Sequence, residues 1–204
     1  RQKAQARRFL ARRRRRVAAA RCVVSGPAAE IARFKDLCIS SHLGDDGDDP
    51  SDAVWLDFNA IIPMPACLVG TESGSNADLG IEILTGSPKP GRYTATSYLS
   101  YSWIREPGIF NLEQLREWAA RERPEAIALG EKALKAFQET GFYDWYDWSV
   151  QNWGTKWNSY SFHVLSDSPD RYEFKFDTAW SVPTPVFDKI AELFPSLELD
   201  LVSF

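Results

Sequence analysis

The chain has 204 residues, 44% of them hydrophobic, enough to bury the core of one folded domain, and its three cysteines, Cys22, Cys38 and Cys67, include no close pair that would signal a disulfide framework or a zinc site. Its formal charge of −4 conceals a split: the stretch from Arg1 to Arg21 holds ten of the 24 basic residues and no acid, leaving fourteen bases against all 28 acids, a balance of −14. Such a body repels phosphate backbones, only the arm attracts them, and no apolar run reaches the roughly 18 residues of a membrane span, so a cytoplasmic protein with no membrane partner and no metal or cofactor is expected.

Arg1 to Arg21 is rich in Arg and Ala, both strong helix formers, but the consecutive Arg12, Arg13, Arg14, Arg15 and Arg16 repel one another unless an anion neutralises them. Residues 1–21 are therefore read as a basic arm and 22–204 as one α+β domain. Cys22 to Val24 forms a short strand that ends at Ser25-Gly26-Pro27, and Ile31, Phe34, Leu37 and Cys38 recur at helical spacing behind it. Gly44 to Asp52 holds five aspartates; it lacks the ordered ligand spacing of a calcium loop, and His42 beside it adds a single imidazole, so it is read as a solvated turn. Val54, Leu56 and Phe58 alternate as a second strand that ends at the prolines Pro63 and Pro65.

From Ala66 to about Arg105, glycines interrupt short apolar runs, with Ile81 to Leu84 and Tyr98 to Ile104 extended or helical. Asn111 is expected to cap a helix through Leu112, Leu115 and Trp118; Pro124 to begin another that turns Ile127, Leu134 and Phe137 inward; and Gly141 to close it. Gly141 to Trp157 then packs in Trp145, Trp148, Trp153 and Trp157, half of the chain's eight tryptophans. Tyr160, Phe162 and Val164, then Tyr172, Phe174, Phe176, Thr178 and Trp180, alternate as a hairpin. Thr184 is read as the cap of a helix with Phe187, Ile190, Ala191 and Phe194 on its buried stripe, and Leu197, Leu199 and Leu201 as a last strand.

A strand–helix–strand start and a hairpin–helix–strand finish join most simply as a ferredoxin-like α+β fold. It has one antiparallel sheet, helices on one face, and a largely helical, Trp-rich insertion at about 66–157 whose indoles would cover the sheet's other face.

The candidate binding residues are Asn152, Trp153, Thr155, Lys156 and Trp157, which set polar groups between indoles, with Asp177 and Trp180 from the hairpin as neighbours; Asp177, Asp144 or Asp147 would pair with Lys156. A Ser161–His163–Asp177 triad is rejected because strand neighbours point to opposite faces. Tyr172, Phe174 and Phe176 invite comparison with RNA-recognition sheets, but Glu173 and Asp177 between them carry the wrong charge. No residue is assigned a catalytic role.

The runs VVSGPAAEIARF, FNAIIPMP, GFYDWYDWSVQNWGTKWNSY and FDTAWSVPTPVFDKIAELFP resemble the YubB ferredoxin-like domain family of bacterial plasmids and phages. That resemblance implies the same fold and a mobile-element setting, and no catalytic residues; the arginine arm stands outside it. The expectation is a non-enzymatic binding or accessory protein whose partners are nucleic acid, through residues 1–21, or a host protein. The alternatives are an acidic decoy for a host nucleic-acid-binding protein and a small-molecule enzyme using Lys156, Asp177 and Asn152.

Overall fold

The computed structural model describes residues 17–41, 54–90 and 96–204. Two compact units emerge, one from residues 17–63 with Ser149–Phe204, the other from Met64–Trp148.

The first unit contains β1 (Val17–Ser25), α1 (Ala28–Cys38), the short strands β2 (Ile39–Ser41) and β3 (Val54–Leu56), and the single-turn helix α2 (Phe58–Ile61). After residue 148 the chain supplies β4 (Tyr160–Ser168), β5 (Arg171–Ala179), the helix Thr184–Leu193 and β6 (Glu198–Ser203). The sheet order β4-β5-β1-β6 is antiparallel throughout, and with α1 and Thr184–Leu193 as its helices this is the ferredoxin-like arrangement. One face is apolar by period-2 alternation. Ala20, Cys22 and Val24 of β1 and Tyr172, Phe174 and Phe176 of β5 are buried there beneath Phe34 of α1, whose ring lies 6.2 Å from Phe174 and 5.7 Å from Phe194. The other face carries Arg21, Glu173, Lys175 and Asp200, with Glu173 held between Arg21 at 2.6 Å and Arg171 at 2.8 Å.

Three expectations change here. Val17 to Arg21 is strand rather than the end of a helical arm: β1 pairs with β5 and β6 along both edges, and those ladders override the helix propensity of Ala18–Ala20. Phe58 does not extend a strand, because Asp57 accepts hydrogen bonds from the amides of Asn59 (3.0 Å) and Ala60 (3.3 Å) and starts α2. Pro183, not Thr184, occupies the cap position before Thr184–Leu193, where Ala191 is exposed and Val186 takes a place on the buried stripe; Leu37 of α1 is likewise exposed.

The second unit holds α3 (Ser75–Thr85), α4 (Ser102–Arg105), α5 (Leu112–Glu122) and α6 (Pro124–Thr140), with single 3-10 turns at Ala66–Leu68 and Tyr98–Ser100. Asn111 caps α5 by accepting from the Gln114 amide at 2.9 Å, and Gly141 closes α6 at φ 79°, both as the sequence predicts. The helix labelled α7 (Trp145–Asn152) follows, and Thr184–Leu193 is α8. The inward face of α6 is not the expected one. Ala126, Gly130, Ala133 and Ala136 are buried, while Ile127 and Leu134 are half-buried and Phe137 is 41% exposed. Small residues win because α6 crosses α3 at backbone distance: a Cβ on Gly80 would strike the Ala126 carbonyl oxygen, and one on Gly130 would strike the backbone of Gly80.

Gly130→Ala is expected to destabilise the second unit by about 3 kcal/mol through overpacking, seen as a lowered or split thermal transition by circular dichroism; an unchanged melt would refute the close crossing.

Candidate functional site

The geometry around the predicted residues is set by two turns stitched together. β5 ends at Ala179, and the chain passes through Trp180 to Pro183 before α8. The Thr155 hydroxyl donates to the Ala179 carbonyl, the Ser181 hydroxyl to the Gly154 carbonyl, and the Thr178 hydroxyl to the Ser181 carbonyl at 2.7 Å. Thr155 and Thr178 are both buried, so the Thr155 bond forms where water does not compete, whereas the Ser181 hydroxyl is exposed. Gly154 sits at φ 78° against Pro185, whose Cδ would lie 2.9 Å from an added Cβ. Only glycine fits that turn.

With residues 154–155 fixed to residues 179–181, Lys156, Trp157 and Trp180 come together. Lys156 Nζ lies 4.5 Å from the centre of the Trp157 ring and 5.7 Å from that of Trp180. An ammonium over two indole faces is a cation–π arrangement. Trp180 is 45% exposed and has φ 81°, a left-handed backbone that a bulky residue adopts only when its surroundings force it.

The other predicted residues take different positions. Trp153 is buried, donates its indole N–H to the Ile62 carbonyl at 2.9 Å and meets Phe58 edge-on at 6.1 Å; Phe58 in turn meets Phe176, so this indole joins the helix-side core rather than covering the opposite sheet face. Trp145 and Trp148 belong to the Met64–Trp148 unit. Asn152 is half-buried at the end of α7. Asp177 lies between Phe176 and Thr178 on β5, and its side chain therefore faces away from theirs. Arg12 to Arg16 and the acidic stretch with His42 lie outside the described residues, but the register of β1 locates where the arm joins: Val17 pairs with Ala179, one residue before Trp180. Sequence reasoning missed that juxtaposition.

Asp144 and Asp147 are engaged by a residue that sequence reasoning passed over. Lys89 Nζ lies 2.6 Å from Asp144, 3.6 Å from Asp147 and 3.8 Å from Asp78, all within the second unit. Asp144, only 1% exposed, accepts from the amides of Tyr146 (2.9 Å) and Asp147 (3.0 Å), and so starts α7 while it neutralises Lys89. Burial opposes the charge on Lys89, and the three carboxylates, led by Asp144, overcome it and hold the ammonium above its ordinary range. Burial likewise raises Asp78, which Lys89 pulls back down and Asp144 and Asp147 push further up. This cluster is an anchor for α7. Among the described residues no group of three His, Cys, Asp or Glu is placed to hold a metal ion, and no helix is long and apolar enough to cross a membrane.

Thiol chemistry finds no support. Cys22, Cys38 and Cys67 are free, and burial pushes the first two up to about 12, so they stay protonated at neutral pH; Cys67 is raised too, first by desolvation and then by its hydrogen bond with Glu139.

The unit formed by residues 17–63 and 149–204 is thus a ferredoxin-like α+β domain, and its C-terminal half carries every candidate binding residue. Residues 152–202 match the family model described as the ferredoxin-like domain in Api92-like protein. This corrects the resemblance to the YubB family: the likeness lies with Api92-like proteins. Among solved structures, the crystal structure of the protein api92 from Yersinia pseudotuberculosis is similar over 93% of this chain and 90% of that one, at 11% identity and a TM-score of 0.42. No curated protein matches.

Two outcomes test the Lys89 anchor. Lys89→Met leaves the Asp144 carboxylate buried without its cation and is expected to cost about 3 kcal/mol in chemical denaturation. Because the folded state holds the Asp78 proton more tightly than the unfolded state, stability falls as pH rises through the folded value, so Asp78→Asn should raise the melting temperature at neutral pH and lose that advantage below about pH 4.

Proposed function

We propose that the protein is a non-enzymatic binding protein that holds single-stranded nucleic acid between its basic arm and the surface formed by Lys156, Trp157 and Trp180. The observation that carries this reading is the register of β1. Val17 lies opposite Ala179, so the peptide that brings in Arg16 to Arg12 joins the fold one residue from the exposed Trp180 indole. Phosphate attraction and base stacking are thereby supplied at adjacent points, from segments about 160 residues apart in sequence.

The scale of base stacking on an exposed ring supports the reading. An exposed cation–π contact is worth about 0.5–1 kcal/mol, whereas a base stacked on an aromatic side chain is worth about 1–3 kcal/mol. Trp153 and Thr155 are buried and support the surface from within. The acidic balance of the remaining chain confines contact to this place, since strands elsewhere meet repulsion. The plasmid or phage setting came with the resemblance that is now corrected, and this reading does without it.

Fluorescence anisotropy with a labelled oligothymidylate tests the reading. Trp180→Ala should weaken binding about tenfold at fixed salt. Deleting Arg1 to Arg16, which stops short of β1, should flatten the dependence of affinity on salt and leave the melting temperature unchanged. Binding that neither change affects would overturn the proposal.

A further inference from the structure

The second unit contains a cleft of about 180 Å3 lined by Ser75, Asn76, Leu79, Tyr98, Trp103 and Arg123. Its walls are aromatic and rigid. Trp103 stands edge-on to Tyr98 at 6.2 Å and 86°, stacks on Tyr101 at 6.3 Å and is backed by Trp118 at 6.1 Å, yet it remains 45% exposed. Tyr98 is fixed at its other end, where its hydroxyl donates to the Ser75 carbonyl at 2.6 Å. Burial, helped by Asp78, pushes the Tyr98 phenol up to about 12, so it remains a donor there at neutral pH. Leu79, buried on α3, gives the cleft an apolar floor.

Arg123 is the one charged residue among the six that line the cleft. Arg123 occupies the corner between α5 and α6, held there by Pro124, and among the described residues it forms no ion pair. Asn76 and Ser75 add an amide and a hydroxyl, and none of the six lining residues is acidic. In a chain with more acids than bases, a guanidinium that forms no ion pair among the described residues, set beside a flat apolar wall, suits a ligand that brings its own negative charge.

We infer that this cleft is a binding site for a monocyclic aromatic carboxylate, its ring against Trp103 and Tyr98 and over Leu79, and its carboxylate on Arg123 with Asn76 and Ser75 as further donors. Size sets the ring count. An enclosed apolar cavity of about 150 Å3 accommodates benzene, so a cleft of about 180 Å3 has room for one ring and a small polar group. The site lies wholly within the Met64–Trp148 unit and is independent of the Lys156 surface.

Benzoate is the probe, with benzyl alcohol as its neutral counterpart, one heavy atom smaller, titrated into the full chain while the Trp103 indole N–H signal, assigned with Trp103→Phe, is followed by NMR. Benzoate is expected to shift that signal with a dissociation constant on the order of 1 mM, as befits nine heavy atoms, and benzyl alcohol to bind at least about tenfold more weakly. Arg123→Gln, at an exposed position and checked by its melting curve, should weaken benzoate about tenfold or more and leave benzyl alcohol unchanged. No shift up to the solubility limit of benzoate, equal binding of the two probes, or benzoate binding unaffected in the folded Arg123→Gln variant would each overturn the inference.

Discussion

The pairing of β1 along both of its edges is the constraint on which the rest depends. One strand near the start of the chain is enclosed by β5 and β6, which lie more than 140 residues further on, and the ladder places Cys22 and Val24 beneath the same aromatic layer as Phe174 and Phe34. Enclosing a strand between partners so distant in sequence carries a large loop-closure entropy, which the Phe-rich layer must offset. Without that layer, neither turn that positions Trp180 would have a fixed base.

The same strand sets where the neighbouring turns lie. A strand set in register against β5 fixes where its own leading end emerges, and here that point is Ala179. The turn after β5 is tied by Thr155, Thr178 and Ser181 to the turn at Gly154, and those bonds leave the indole of Trp180 outside while Trp153 is drawn inside. Two tryptophans of one segment thus serve opposite ends: Trp153 fills the core beside Phe58, and Trp157 offers a ring face to Lys156.

Much of this was legible in the residues. Alternation from Tyr172 to Thr178, the cap at Asn111 and the stop at Gly141 all report local geometry, and local geometry is what a pattern encodes. The sheet order followed from them. What stayed hidden depended on partners distant in sequence. Ala18 to Ala20 read as helix because nothing local reveals a strand on either side; α6 turned Ala126 and Gly130 inward because Gly80, some fifty residues earlier, meets it at backbone distance. Nothing near Lys89 in sequence marks it as an anchor, and only folding brings Asp144 to it. The indoles were correctly singled out as a concentration of packing surface, but a tryptophan's identity does not tell whether its ring faces the core or the solvent.

The backbone at Trp180 carries a further meaning. A left-handed conformation with φ 81° suits glycine or asparagine, and either would relax a local strain on the order of 1 kcal/mol. A chain shaped for endurance alone would have adopted one of them. Keeping the largest side chain at a position that resists it costs the turn some stability, and a sturdier molecule made by relaxing this turn would lose its outward-facing ring.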